Sequence, residues 1–413
     1  MSLRAVGLAL VPFVTCCSQG TTTRIPLGPV TPLETPADAG AETPNLALTA
    51  DGVFLLSWVA PQGDGVYALR FSSRAPGGEW SSPRTIASGD DWFVNWADFP
   101  SLAALEDGTL YAHWLSKSGA GTYAYDVRIS ISHDGGETWS TPITPHTDGS
   151  ISEHGFVSMT PLSSNQMGIS WLDGRNTVTA GGQPKAHGDP GAEMALMFAT
   201  LDSDGAVQSS TALDTRVCDC CQTSATMGSS GPIVVYRDRS PEEVRDIAVT
   251  RAHAGAWTSP VILGDDRWLI AGCPVNGPAI DARGADIVVA WFSAPAEQAR
   301  VQVAFSGDSG ATWDSAFRVD DGHAIGRVDV EWLPDASALV SWIQHGQSGT
   351  RIVARRVARR AESGEIVAIA ATDAARASGF PRMIASETEI LFAWRDGEDP
   401  SHVRTALRRI GGP

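Results

Sequence analysis

Ile287-Val288-Val289-Ala290-Trp291 is a short apolar run closed by an aromatic, and the chain repeats this pattern seven times. The other copies are Phe54-Leu55-Leu56-Ser57-Trp58, Leu110-Tyr111-Ala112-His113-Trp114, Gly168-Ile169-Ser170-Trp171, Ile233-Val234-Val235-Tyr236, Ala338-Leu339-Val340-Ser341-Trp342 and Ile390-Leu391-Phe392-Ala393-Trp394. Successive aromatics lie 56, 57, 65, 55, 51 and 52 residues apart. Apolar residues elsewhere alternate with period two, and no stretch shows a convincing helical stripe. A period near fifty built of short strands predicts an all-β propeller of four-stranded blades, seven by this count. The last copy, Phe380 to Ile410, has room for three strands only. A segment near Thr22 to Leu27 is therefore expected to supply the fourth and close the ring.

Between the aromatics runs a second repeat. Ser132-His133-Asp134-Gly135-Gly136-Glu137-Thr138-Trp139 and Ser306-Gly307-Asp308-Ser309-Gly310-Ala311-Thr312-Trp313 both read S-x-D-x-G-x-T-W. Partial copies surround Trp80 and Trp257. The pattern suits a hairpin turn: the carboxylate accepts from turn N–H groups, Gly takes a positive φ, and Trp packs into the blade. Ser132, Asp134, Gly136, Trp139 and their counterparts Ser306, Asp308, Gly310, Trp313 are thus read as structural.

These boxes resemble the Asp box (BNR repeat) of bacterial sialidase-like proteins of the neuraminidase superfamily. The resemblance implies a propeller, with six blades as the alternative to seven, and a glycan-directed activity. It also implies an Arg triad for a sugar carboxylate, a Tyr–Glu nucleophile pair and an Asp acid/base. The five tyrosines are Tyr67, Tyr111, Tyr123, Tyr125 and Tyr236, so none falls in the last two units, where the family's nucleophile belongs.

In a propeller, loops entering the inner strands and loops after the second strands gather on one face. Those loops carry Glu153, Asp173 and Asp238 as candidate catalytic carboxyls. Arg175, Arg237, Arg245 and Arg327 are the candidate grips for an acidic glycan. Two functions from different classes follow: an exo-glycosidase acting on acidic sugars, or a non-catalytic module binding glycan, protein or metal.

Cys218-Asp219-Cys220-Cys221 and Cys273 form the most unusual local feature. Cys218 precedes Tyr236 by 18 residues and Cys273 precedes Trp291 by 18, so both occupy equivalent entering loops of adjacent blades and the four sulfurs are expected to meet. Two disulfides, a copper or zinc site, and redox-active thiols are the three readings. No other cofactor is required by the sequence.

Residues 1–17 read as a signal peptide: Arg4, an apolar run Ala5 to Val14, then Cys16 and Cys17. A Cys after the apolar core also fits a lipoprotein signal, so a lipid anchor is the expected membrane link. Periplasm or outer surface is the expected location. Residues 18–43, rich in Thr and Pro, read as a tether, and 44–413 as one propeller domain, expected to be monomeric. The chain has 413 residues with 47 acidic and 30 basic side chains, a formal charge of −17. Only Lys117 and Lys185 are lysines. Such a balance excludes nucleic-acid binding through a cationic footprint.

Overall fold

The computed structural model describes residues 24–179, 182–185, 189, 191–359 and 363–411. Seven antiparallel sheets follow one another along the chain at 42–89, 101–132, 154–217, 224–263, 279–318, 324–371 and 382–409. We number them blades 1 to 7. Each inner strand neighbours the next in order, and that of blade 7 neighbours that of blade 1, which closes a ring around an axis. The seven-blade count holds and the six-blade alternative does not. Outer strands vary in length: that of blade 3, Val207–Val217, has 11 residues, whereas in blade 2 the fourth position is a single bridge, Ile129 to Ile143.

The repeated aromatic lies on the second strand of every blade. That strand is flanked by partners on both sides and covered on both faces, so it reads as a continuous apolar run. Trp58, Trp171, Trp291 and Trp342 are fully buried between blades. The core is accordingly a ring of inter-blade clusters; one joins Val288 and Val303 of blade 5 to Val330, Val340 and Trp342 of blade 6.

Ring closure comes from the N-terminal side. Thr31–Leu33 pairs with Val403–Arg409 as the outer strand of blade 7, and Leu27 bridges Ile410. The closing strand therefore lies a few residues beyond the expected segment, inside the stretch read as a tether. From Leu27 onward that stretch is part of the propeller body, because its backbone pairs with blade 7 and Leu27 and Val30 pack on the core. Residues 1–17, with the signal and lipidation readings at Arg4, Cys16 and Cys17, lie outside the described residues.

Both complete boxes are hairpin turns between third and fourth strands. Ser132 Oγ donates to Asp134 Oδ1 at 2.8 Å, and the same oxygen accepts from the N–H groups of Glu137 and Thr138 at 3.0 and 2.9 Å. In blade 5, Asp308 accepts from Ser306 at 2.8 Å and from the Thr312 N–H at 2.8 Å. Hydrogen bonds from Thr312 hold the Asp308 pKa down at about 2, so the turn keeps a charged carboxylate to satisfy its own donors. The box is also a blade-to-blade lock. Gly136 has φ 88, and a Cβ there would stand 2.3 Å from the Phe71 ring of blade 1. Gly310 has φ 76, but its nearest neighbour would be 3.5 Å away.

These two glycines therefore differ in what a methyl group costs. Gly310→Ala is expected to lose about 1–2 kcal/mol from the left-handed backbone alone. Gly136→Ala should lose about 1–3 kcal/mol more, because the methyl drives into Phe71. Denaturant unfolding of both variants checks this; equal losses would remove the lock between blades 1 and 2.

Candidate functional site

The loops entering the inner strands converge on one mouth of the axis, where they enclose a cavity of about 350 Å3. Its walls come from Phe93 to Asp98 before blade 2, Tyr123 and Tyr125 on blade 2, Glu153 and Phe156 at blade 3, Asp219 and Cys220 before blade 4, and Cys273 and Val275 before blade 5. Phe93 stacks on Tyr125 with centroids 4.0 Å apart, and Trp96 stacks on Phe380 at 5.9 Å. Arg376 is the only basic residue among the lining residues.

Tyr125 is the centre of this pocket. Its Oη lies 2.8 Å from Asp98 Oδ2 and 2.8 Å from Glu153 Oε1. A phenol carries one proton, so both contacts are hydrogen bonds only if one carboxyl is itself protonated and donates to the phenol oxygen. Asp98 is the better ionised partner, because its other oxygen accepts the Phe156 N–H at 2.7 Å. Glu153 is then the protonated acid. Burial, opposed by the contact with Tyr125 and reinforced by the charge of Asp98, pushes Glu153 up to about 8. Burial pushes Asp98 up to about 7, against its bonds to Tyr125 and Phe156. Near neutral pH the pair thus shares about one proton, the arrangement in which one group acts as acid and the other as base.

The backbone is shaped to permit this approach. A Cβ at Gly155 would stand 2.0 Å from Asp98 Oδ2 and 2.8 Å from the Tyr125 ring. Phe156 has φ 53, a strained position for an aromatic residue, held by Asp98 on its N–H and by Thr223 on its carbonyl at 2.8 Å.

The other carboxyls and arginines read from the sequence lie elsewhere. Asp173 is fully buried; it takes a fork of bonds from Arg175 at 2.7 and 2.6 Å and accepts from Trp171 at 2.8 Å. Asp238 lies beside Asp214 and Asp246, and burial foremost pushes it up to about 6. Neither lines the pocket, so Glu153 is the one expected carboxyl that does. Arg237 donates to the carbonyls of Asn276, Arg245 and Phe292. Arg327 donates to those of Gly379 and Ala375 and lies over the Trp96 ring at 5.0 Å. Arg245 bonds Glu243 and Cys218, and Arg175 is held by Asp173. Arg237, Arg245 and Arg327 are thus engaged inside the fold, and Arg175, a third exposed, is held by the Asp173 fork. Asp98 and Tyr125 went unread because neither sits in a repeat or a motif; only the fold brings them to Glu153.

A second polar cluster surrounds Asp173. The rings of His146 and His154 stack in parallel, centroids 3.8 Å apart. Asp126 Oδ1 lies 3.5 Å from His154 Nδ1, and Asp148 Oδ1 lies 3.3 Å from His154 Nε2. These are metal-ligating residue types, but lone pairs of parallel rings do not converge on one ion, and Asp173 already holds the Arg175 fork. The set is better described as a buried imidazolium in a cage of carboxylates. Burial opposes that charge, yet Asp126, Asp148 and Asp173 prevail and raise His154 to about 9.

Three of the thiols gather: Cys218 Sγ lies 3.2 Å from Cys221 Sγ and 3.9 Å from Cys220 Sγ, while Cys273 lines the same pocket as Cys220. Arg245 Nη1 approaches Cys218 Sγ at 3.3 Å.

A closed ring of seven blades, locked by Asp-box turns and carrying an aromatic and carboxyl pocket on its axis, defines an Asp-box β-propeller. Residues 62–323 match the family described as BNR repeat-like domain, and the chain belongs to that family. Among solved structures it is similar to a protein of unknown function from Dyadobacter fermentans, at 15% identity over 92% of this chain and 97% of that one, TM-score 0.50. It is also similar to the polysaccharide lyase Uly1, at 7% identity over 87% and 88% of the two chains, TM-score 0.50. A mutant of the NanB sialidase of Streptococcus pneumoniae aligns at 10% identity over 87% and 83%, TM-score 0.47. At such identities the likeness is one of fold. A search of the curated proteins returns no match.

The His154 cage has a pH signature. Its folded pKa is raised above the ordinary 6.5, so the charged ring stabilises the fold fully below about 6.5 and progressively less as pH rises through about 9. The stability difference between the wild type and His154→Gln should shrink by roughly 1–3 kcal/mol from pH 6.5 to 9.5. Unfolding measured at both pH values checks it; a constant difference would mean the ring is neutral in the fold.

Proposed function

We propose that the protein is a glycan-active enzyme, a glycoside hydrolase that takes one sugar ring into the axial pocket. The observation that carries this reading is the single phenol of Tyr125 bridged by Asp98 and Glu153. The exposed aromatic face of Tyr123 suits stacking on a sugar ring. Glu153, protonated at neutral pH, donates its proton to the glycosidic oxygen as the bond to the anomeric carbon breaks. Tyr125 bonds to that carbon as the leaving group departs, while its proton passes to the Asp98 carboxylate. Water then attacks the same carbon, giving a proton to ionised Glu153; the phenol leaves and recovers its proton from Asp98.

The charge of the pocket favours a neutral sugar over an acidic one. Three carboxyls and one exposed arginine line it, and the arginines expected to bind a sugar carboxylate are engaged elsewhere. The apolar run Ala5 to Val14 supports an exported enzyme meeting its glycan outside the cytoplasm.

A hydrolysis screen with neutral and acidic aryl glycosides tests the reading. Activity is expected on at least one neutral glycoside. Tyr125→Phe and Glu153→Gln should each reduce kcat by about 100-fold or more, with stability near that of the wild type. The rate should fall as pH rises through about 8, where Glu153 loses its proton. Full activity in both variants, or none on any glycoside, would overturn the proposal.

A further inference from the structure

We infer that Cys218, Cys220 and Cys221 form a binding site for a thiophilic monovalent metal ion, Cu(I), on the wall of the axial pocket. The glycoside reading does not depend on it. Three sulfurs from one tight loop lie within 4.8 Å of one another. Metal–sulfur bonds of about 2.3 Å in a trigonal plane place sulfurs about 4 Å apart, close to the 3.9 Å between Cys218 and Cys220. The Cys218 to Cys221 distance, 3.2 Å, needs only a small opening.

Charge separates this reading from two disulfides. Arg237 and Arg245 are both buried at 1% exposure. Arg245 is held by Glu243 and by Cys218 Sγ, and Glu243 also pairs with Arg239. Arg237 donates only to carbonyls, those of Asn276, Arg245 and Phe292, and Asp246 is its acidic neighbour. Buried guanidiniums next to sulfur call for an anionic sulfur, which a thiolate supplies and a disulfide does not. Three thiolates around one Cu(I) carry two negative charges, and Arg245 Nη1, 3.3 Å from Cys218 Sγ, is placed to share that charge with Glu243.

Zinc is the poorer fit. It closes a tetrahedron with four ligands, and Cys273 stands exposed at the rim, outside the cluster of the other three sulfurs. Soft thiolates in a three-ligand set select Cu(I). Cys220 and Cys273 both line the pocket, so an ion reaches the site from solvent without opening the fold.

The experiment uses the full chain, reduced and handled without oxygen, titrated with Cu(I) against a chromophoric Cu(I) chelator and separately with Zn(II). One Cu(I) per chain is expected, and its presence should block alkylation of Cys220 and Cys221. Cys220→Ser should weaken Cu(I) binding by at least roughly 100-fold while Cys273→Ser leaves it within a few-fold. Circular dichroism confirms that both variants fold, and the alkylation footprint reads the wild type alone. The proposal is overturned if Cu(I) is not retained, if Zn(II) binds in preference with all four sulfurs required, or if peptide mapping of the exported protein finds Cys218–Cys221 and Cys220–Cys273 disulfides.

Discussion

The inner strand of a propeller blade has a hydrogen-bonding partner on one side only. Its other edge faces the axis, and each buried N–H there needs an acceptor that no strand provides. In this chain neighbouring blades supply the acceptors as side chains. Asp281 of blade 5 accepts from the Trp332 N–H of blade 6; Asp329 and Glu331 of blade 6 accept from Met383 and Ala385 of blade 7. Ser224 of blade 4 serves Ile280 of blade 5 in the same way, and Asn276 serves Arg327. The axis is therefore lined with carboxyls and amides for structural reasons before any chemistry is asked of it. Burial raises the pKa of Asp281, Asp329 and Glu331, so these stitches lie where protonation is easiest.

Asp98 is one member of that series, and the candidate site grows out of it. One oxygen accepts the Phe156 N–H of the next blade, as its counterparts do, which leaves the other oxygen for Tyr125. Gln222 then ties the next two loops together, donating to the Ala97 carbonyl at 2.6 Å and accepting from the Gly277 N–H at 3.0 Å. The pocket is thus held by bonds that also hold the ring, and the reacting groups need little reorganisation. The strained φ of Phe156 persists because its N–H and carbonyl are both fixed from outside its own strand.

The fold was legible because its signal is periodic. Each second strand is buried on both faces, so Trp58, Trp114, Trp171, Tyr236, Trp291, Trp342 and Trp394 mark the blades whatever the loops do. That the loops of Cys218 and Cys273 come together, with Cys220 and Cys273 lining one pocket, followed from equal offsets to those aromatics, since equal offsets on adjacent blades are neighbours in space. The closing strand was harder to place. Thr31-Pro32-Leu33 is three residues long with a proline, an edge strand whose pattern resembles a linker. Tyr125 and Asp98 were invisible for another reason. Their relation to Glu153 spans three chain segments, and no single stretch of sequence records it.

The arginines show how a residue type is misread when only its charge is considered. Arg237 answers the carbonyls of Asn276, Arg245 and Phe292; Arg327 those of Gly379 and Ala375; Arg355 those of Gly364 and Val319; Arg408 those of Gly28 and Leu27. Wherever connecting segments cross, carbonyls are left without strand partners, and one guanidinium with five N–H groups satisfies several of them at once. A lysine ammonium has three donors on one atom and is costlier to bury, which accounts for only two lysines among thirty basic residues. Carboxyls satisfy the stray N–H groups of this propeller and guanidiniums its stray carbonyls. Arginine in its loops is thus first a backbone partner, and an anion site requires a guanidinium left free of such carbonyls, a position that Arg376 alone holds among the residues lining the pocket.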